Sequence, residues 1–245
     1  MATGSRRRVS NFAATNCASL KREKQMAARL TVISPHLDDA VFGAGEVIAA
    51  HPGAVVITAF AGIPPGDVLT GWDRDCGFSG SRQAMFARRR EDAEALGQLR
   101  ATPCWLDFCD AQYAPPPDPA DIRAALAREL EAHESDVVAF PLGLFHSDHQ
   151  LVARAALDLI DAERIWLAYE DALYRRLPRA VEDRLIELAE VGITIGKITA
   201  LTPNSSMLKT RAVLCYSSQL RGLGTPGRAG QEDLAEPERY WRLAR

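Results

Sequence analysis

The feature that most constrains this chain is a short apolar run that ends in an imidazole and two carboxylates. Leu30-Thr31-Val32-Ile33 reads as a strand buried on both faces, the kind that parallel sheets contain. Pro35 cannot donate to a ladder, so pairing should stop there, and His36, Asp38 and Asp39 fall in the loop that follows. From Val41 to Ala50, the positions Val41, Ala44, Val47 and Ile48 share one helical face. Strand, loop and helix in that order put the polar groups at the carboxyl end of a strand, where open α/β sheets bind ligands. A second run, Val137-Val138-Ala139-Phe140, leads into His146-Ser147-Asp148-His149. Two strand ends that each carry His and Asp point to a metal site far more strongly than either does alone.

The rest of the chain keeps the same rhythm. Ala54 to Phe60 is a second buried strand, introduced by the turn His51-Pro52-Gly53. Residues 61–81 are rich in Gly, Pro, Asp and Ser and are too long for a routine connection. Leaving a strand end, they are expected to cover the centre and to hold substrate with Trp72, Asp73, Arg74 or Asp75. Arg82 to Leu99 predicts a helix carrying Arg88, Arg89 and Arg90, and Cys104 to Phe108 a short strand. A helix from Asp118 or Pro119 ends near His133, whose ring suits the negative end of the helix dipole. Asp136 to Phe140 and Ile165 to Tyr169 are strands, the latter running into Glu170-Asp171, with a helix from Leu151 to Ile160 between them. After an Ile/Thr-rich stretch, Gly192 to Leu201, come a helix around Met207 to Leu220, a Gly/Pro-rich segment and a polar tail with Tyr240 and Trp241. Alternation of this kind predicts an α/β fold, a mainly parallel sheet with helices on both faces.

Length and charge narrow the function classes. The 245 residues, 47% of them hydrophobic, suit one catalytic domain over residues 29–245. Residues 1–28 form a basic arm without apolar periodicity. The expectation is a disordered arm, or one upstream of the true start, and it is excluded from the fold. A net charge of −3 gives no reason to expect nucleic acid, and no apolar run approaches the roughly 20 residues that span a bilayer. Five scattered cysteines with no CxxC pair favour a reducing cytoplasm.

Zinc accepts imidazole nitrogen and carboxylate oxygen, and a catalytic site usually has three protein ligands and one open position. His36, Asp39 and His149 would supply that set, leaving Asp38 as an unligated carboxylate beside the metal. A carboxylate there can take a proton from water and return it to a leaving amine. His146 can donate a hydrogen bond to the oxyanion of a tetrahedral intermediate, and Asp148 can hold that ring in orientation.

With these residues in view, the sequence resembles the PIG-L/LmbE-type zinc-dependent N-deacetylases. Pro35-His36-Leu37-Asp38-Asp39 and His146-Ser147-Asp148-His149 look like that family's two signature motifs, and the similarity extends over most of residues 29–220. Arg88-x-x-Glu91, Tyr169-Glu170-Asp171 and Tyr216-Ser217-Ser218-Gln219 resemble later family segments. The resemblance implies a Rossmann-like three-layer sandwich, with zinc on His36, Asp39 and His149, or iron in the cell. It also implies Asp38 as general base, His146 as oxyanion donor and Arg88 in contact with substrate. Ala40 and Leu144 depart from residues common in the family, and they argue against a mycothiol-type enzyme.

The expected activity is therefore hydrolysis of an N-acetyl or related N-acyl group on an amino sugar or sugar conjugate. Arg74 and Arg88 are the candidate substrate anchors, and homo-oligomer formation is left open. Two rivals come from other classes. Two His and a carboxylate also make the facial triad of non-haem Fe(II) oxygenases, although that chemistry needs two open metal positions and the α/β alternation disfavours it. A non-catalytic glycan-binding module stapled by metal would have no use for an unligated Asp38.

Overall fold

The computed structural model describes residues 28–198, 206–226, 233–234 and 236–245. The reading of residues 1–28 as an arm therefore lies, apart from Ala28, outside the described residues. Seven strands, β1 (Leu30–Ser34), β2 (Val55–Thr58), β3 (Thr102–Trp105), β4 (Val137–Pro141), β5 (Ile165–Tyr169), β6 (Thr194–Ile198) and β7 (Tyr240–Ala244), form one sheet. Their order is β3-β2-β1-β4-β5-β7-β6. The first five are mutually parallel, and β7 runs antiparallel to both β5 and β6. The helices are α1 (Asp39–Ala50), α2 (Gly71–Asp75), α3 (Ser81–Gln98), α4 (Pro119–Ala132), α5 (Ser147–Leu157), α6 (Ala180–Glu190), α7 (Ser206–Cys215) and α8 (Ser217–Leu223).

Successive strand side chains point to opposite faces, and here both faces are covered. Val32, Val56, Ala139 and Leu167 enter one core with Val41 of α1, Leu96 of α3 and Ala212 of α7. Their neighbours Ile33, Ile57, Phe140 and Ala168 enter the other, with Leu126 of α4, Val152 of α5 and Leu188 of α6. That is why these strands read as unbroken apolar runs, and it makes the molecule a three-layer α/β sandwich. Among the described residues no helix is long and apolar enough to cross a membrane.

Some elements differ from the sequence reading. The second motif lies on the first turn of α5 rather than before it, because His146 occupies the N-cap position and the helix begins at Ser147. The expected long loop contains α2, closed by a capping box between Thr70 and Asp73. The helix expected around Met207 to Leu220 is interrupted at Tyr216, which separates α7 from α8. The polar tail is strand β7: Tyr240 and Leu243 are buried in the cores on opposite faces of the sheet, while Arg242 between them is exposed and breaks the apolar run in the sequence.

The packing of α3 gives a pH-dependent prediction. Asp92 is buried and accepts hydrogen bonds from Trp105 Nε1 at 2.7 Å and the Tyr216 hydroxyl at 2.8 Å. Burial outweighs those two donors and the positive charge of Arg88, pushing the carboxyl from 3.8 up to about 6. Between those pH values the native state holds a proton that the unfolded chain has released, so this group's contribution to stability falls as pH rises. The loss should reach roughly 3 kcal/mol by neutrality. Unfolding free energies of wild type and Asp92→Asn should therefore diverge in favour of the variant between pH 4 and 7. Parallel curves would show that Asp92 does not titrate in this window.

Candidate metal centre

The sheet order reverses between β1 and β4. Chain connections leave β1 toward β2 and β3 on one side, and resume at β4 on the other. This is the switch point at which open α/β sheets have a crevice, and both motifs lie at its mouth. The Ser34 hydroxyl accepts the Ala40 N–H at 2.9 Å and donates to the His36 carbonyl at 2.7 Å, folding the loop after β1 back on itself. Asp39 is then the first residue of α1, and its Oδ2 accepts the His36 N–H at 2.9 Å. The same oxygen lies 3.1 Å from His36 Nδ1 and 3.2 Å from His149 Nε2.

The remaining ring nitrogen of each histidine meets another carboxylate. His36 Nε2 is 3.0 Å from Asp148 Oδ2, which also accepts the Ala111 N–H at 3.2 Å. His149 Nδ1 is 2.5 Å from Asp171 Oδ1. The other oxygen of Asp171 accepts the N–H groups of Gly143 and Leu144, at 2.9 and 3.1 Å, and so fixes the loop that carries His146. Gly143 sits at φ +83°, and a Cβ there would come within 2.6 Å of the Ala153 side chain.

Ligand atoms of His36, Asp39 and His149 lie within 4.8 Å of one another, close enough to hold a metal ion. So do those of an overlapping group, His36, His146 and Asp148. The first group has what histidine ligands typically have, a carboxylate on each outer ring nitrogen. In the second, His146 Nδ1 instead accepts the Asp148 N–H at 3.3 Å. No carboxylate meets that ring among the described residues.

Charges in the crevice are closely matched. Burial disfavours ionised Asp39, but His149 and His36 overcome it and hold the carboxyl well below its usual range. Burial likewise opposes protonation of His149, yet Asp39 and Asp171 raise the ring to about 9. His36 is raised too, with Asp110, Asp148 and Asp39 outweighing burial. Asp38 behaves in the opposite way: burial and then the neighbouring Asp39 push it up to about 8. Its side chain makes no capping bond at the start of α1, so that common use of an acid before a helix does not account for it. His146 is lowered by burial and by repulsion from His36 and His149.

The other expected residues divide. Arg88 is buried on α3, with Nη1 3.8 Å from Asp110 Oδ2, while its Nε and Nη1 have no hydrogen-bond partner among the described residues. Arg74 is exposed on α2 and is not tied to the His–Asp cluster by any described contact. Asp73 is spent on structure, capping α2 and accepting the Tyr113 hydroxyl at 2.6 Å, and Trp72 donates to Gln219 at 3.3 Å. Asp148 faces His36, not the His146 ring that the sequence reading assigned it. Its carboxylate points back into the crevice from the first turn of α5, and only its backbone N–H reaches His146.

Two further acids belong to the site. Asp171 follows β5, the neighbour of β4, and its position directly after a buried strand was the available signal. Asp110, 3.9 Å from His36 Nε2, stands in the irregular segment after β3 and has no such signal.

Known proteins match this architecture. A teicoplanin deacetylase solved in a zinc-inhibited form is 23% identical with a TM-score of 0.71, over 89% of this chain and 98% of that one. A triple mutant of a deacetylase of the teicoplanin biosynthetic pathway is 28% identical, TM-score 0.70, with the same coverage of both chains. A pseudoaglycone deacetylase for an antimicrobial reagent is 25% identical, TM-score 0.70, again over 89% and 98%. No curated protein matches the sequence. Residues 31–160, which carry both strand-end motifs, match the family model for GlcNAc-PI de-N-acetylase, and the chain belongs to that family, PIG-L.

Proposed function

We propose that the protein is a zinc-dependent N-deacetylase that removes an acetyl or related acyl group from an amino sugar or sugar conjugate. The observation that carries this reading is an unligated, proton-avid Asp38 adjoining a His36–Asp39–His149 cluster whose outer ring nitrogens are both held by carboxylates. Two neutral-capable imidazoles and one carboxylate suit zinc, with iron as the alternative in the cell. When bound, such a cation acidifies water and polarises the acyl oxygen.

The chain's own groups supply the proton transfers. Asp38 takes a proton as the water oxygen attacks the acyl carbon. As the C–N bond breaks, it returns that proton to the departing nitrogen, giving a free amine and a carboxylic acid. His146 stays neutral, and because its Nδ1 accepts a backbone N–H, Nε2 carries the hydrogen. That N–H is the donor for the oxyanion, and Tyr174, stacked 6.2 Å from the ring, steadies it. Arg88 offers to a sugar oxygen buried N–H groups that have no hydrogen-bond partner among the described residues, and Arg74 meets substrate only at the rim. Cytoplasmic residence belongs to the same proposal, and the described cysteines are free thiols.

A panel of N-acetylated sugars, nucleotide sugars and glycopeptides incubated with zinc-loaded protein should yield primary amine and acetate in equal amounts for at least one member. Amine release from none of them would reject the reading.

Asp171 acts through His149 as a positioning residue. Asp171→Asn should keep the fold and weaken metal affinity by about 10–100-fold, because the amide cannot match the carboxylate's hold on Nδ1–H. Competition with a chromogenic chelator measures the change. An unaltered affinity would remove Asp171 from the support of the site.

A further inference from the structure

At the edge of the sheet, far along the chain from either motif, three more side chains with metal-binding atoms converge. Cys104 lies on β3, the edge strand, and its thiol donates to Glu129 Oε2 at 3.5 Å. His133 Nε2 is 3.9 Å from the same oxygen, and the three ligand atoms all lie within 4.8 Å of one another. Glu129 and His133 are four residues apart at the end of α4, so one helix face presents both. All three side chains are half-buried, leaving an open approach from solvent. Deacetylation uses none of them.

We propose that Cys104, Glu129 and His133 form a second site for a borderline divalent transition cation of the zinc or cobalt type, with water as the fourth ligand.

The distances fit. Around tetrahedral zinc, bond lengths of about 2.3 Å to sulfur and 2.1 Å to nitrogen or oxygen put sulfur about 3.6 Å from a carboxylate oxygen and nitrogen about 3.4 Å from it. The first separation is already present, and the second needs a shift of about half an ångström by a side chain at the helix end. The donor set selects the cation: sulfur and imidazole nitrogen suit zinc or cobalt, while magnesium and calcium prefer oxygen alone. Charge fits as well, since thiolate and carboxylate together neutralise a divalent ion. Arg128, the nearby cation, pairs with Glu129 through Nε and Oε1 at 3.4 Å, leaving Oε2 to face Cys104 and His133. In the free protein the Cys104 thiol keeps its proton and shares it with Glu129, and a bound cation would displace that proton. A bound ion would pin the edge strand to α4, and the segment after that strand leads to Asp110 in the crevice.

Cobalt(II) titration of the full chain tests the site, because the crevice cluster contains no sulfur and only a thiolate ligand gives a sulfur-to-cobalt charge-transfer band in the near ultraviolet. The band should grow to saturation at one thiolate-bound cobalt per chain and vanish in Cys104→Ser. It should persist in Cys17→Ser, Cys76→Ser, Cys109→Ser and Cys215→Ser, and His133→Ala should weaken cobalt binding there at least 10-fold. Adding Asp39→Ala should leave the band in place, so failure of the crevice reading and failure of this one are distinguishable. Absence of the band at saturating cobalt in wild type, or its survival in Cys104→Ser, would overturn the proposal and leave a hydrogen-bonded thiol beside an i,i+4 ion pair.

Discussion

Asp38→Asn should bind metal as wild type does and lose about 10²–10⁴-fold in kcat, the usual contribution of a general acid–base group. The amide occupies nearly the same volume, and Asp38 makes no capping hydrogen bond that the change would break. What is lost is proton affinity. Burial and Asp39 give this carboxyl an affinity far above that of an ordinary aspartate, while Arg88, His36 and His149 limit the rise. A cation held by His36, Asp39 and His149 would lower it further, toward the ionised form that accepts a proton. The loss should appear in kcat and in kcat/KM together, because the proton transfer is made only in the transition state. Metal content from elemental analysis separates this outcome from simple loss of the centre. Wild-type turnover in a metal-replete Asp38→Asn protein would show that the base is another group, with Asp148, whose Oδ2 lies 3.0 Å from His36 Nε2, as the alternative.

Much of this was legible because two local patterns carry it. Leu30 to Ile33 and Val137 to Phe140 must be buried on both faces, and a polar residue directly after such a strand has only the sheet's carboxyl edge to occupy. That logic places His36, Asp38, Asp39 and His149 at one end of the sheet. Their meeting in one crevice depends on β1 and β4 being neighbours, and that is a property of strand order. Strand order arises from packing among helices distant in sequence, which no local pattern records. Asp148 illustrates the limit: sequence adjacency suggested a partnership with His146, but backbone geometry on the first turn of a helix sends neighbouring side chains in different directions. Asp110 was invisible for a related reason, since the segment after β3 has no periodicity to locate it. β7 was hidden by charge, because Arg242 interrupts a five-residue apolar run whose Tyr240 and Leu243 enter the cores on opposite faces of the sheet.

Replacing any member of the proposed ligand set has the largest consequence. His36→Ala, Asp39→Ala and His149→Ala should each weaken metal binding by well over the roughly 10–100-fold expected for a supporting carboxylate such as Asp171. Deacetylation should fall below detection in each. The comparison belongs in a Cys104→Ser background, so that cation held at the sheet edge does not mask loss from the crevice. In that background, metal content should drop from about one per chain to nearly none. Asp39→Ala is the most telling of the three. Its Oδ2 lies between His36 Nδ1 and His149 Nε2, so without it two rings that carry raised proton affinity lose the charge that held them together. The opposite substitution controls for folding: His146→Ala removes a ring from the same crevice and leaves the His36–Asp39–His149 set intact. It should therefore keep the metal while losing about 10²–10³-fold in kcat as an oxyanion donor. If His146→Ala lost the metal and Asp39→Ala kept it, the overlapping group of His36, His146 and Asp148 would be the true centre, and the roles of both motifs would have to be exchanged.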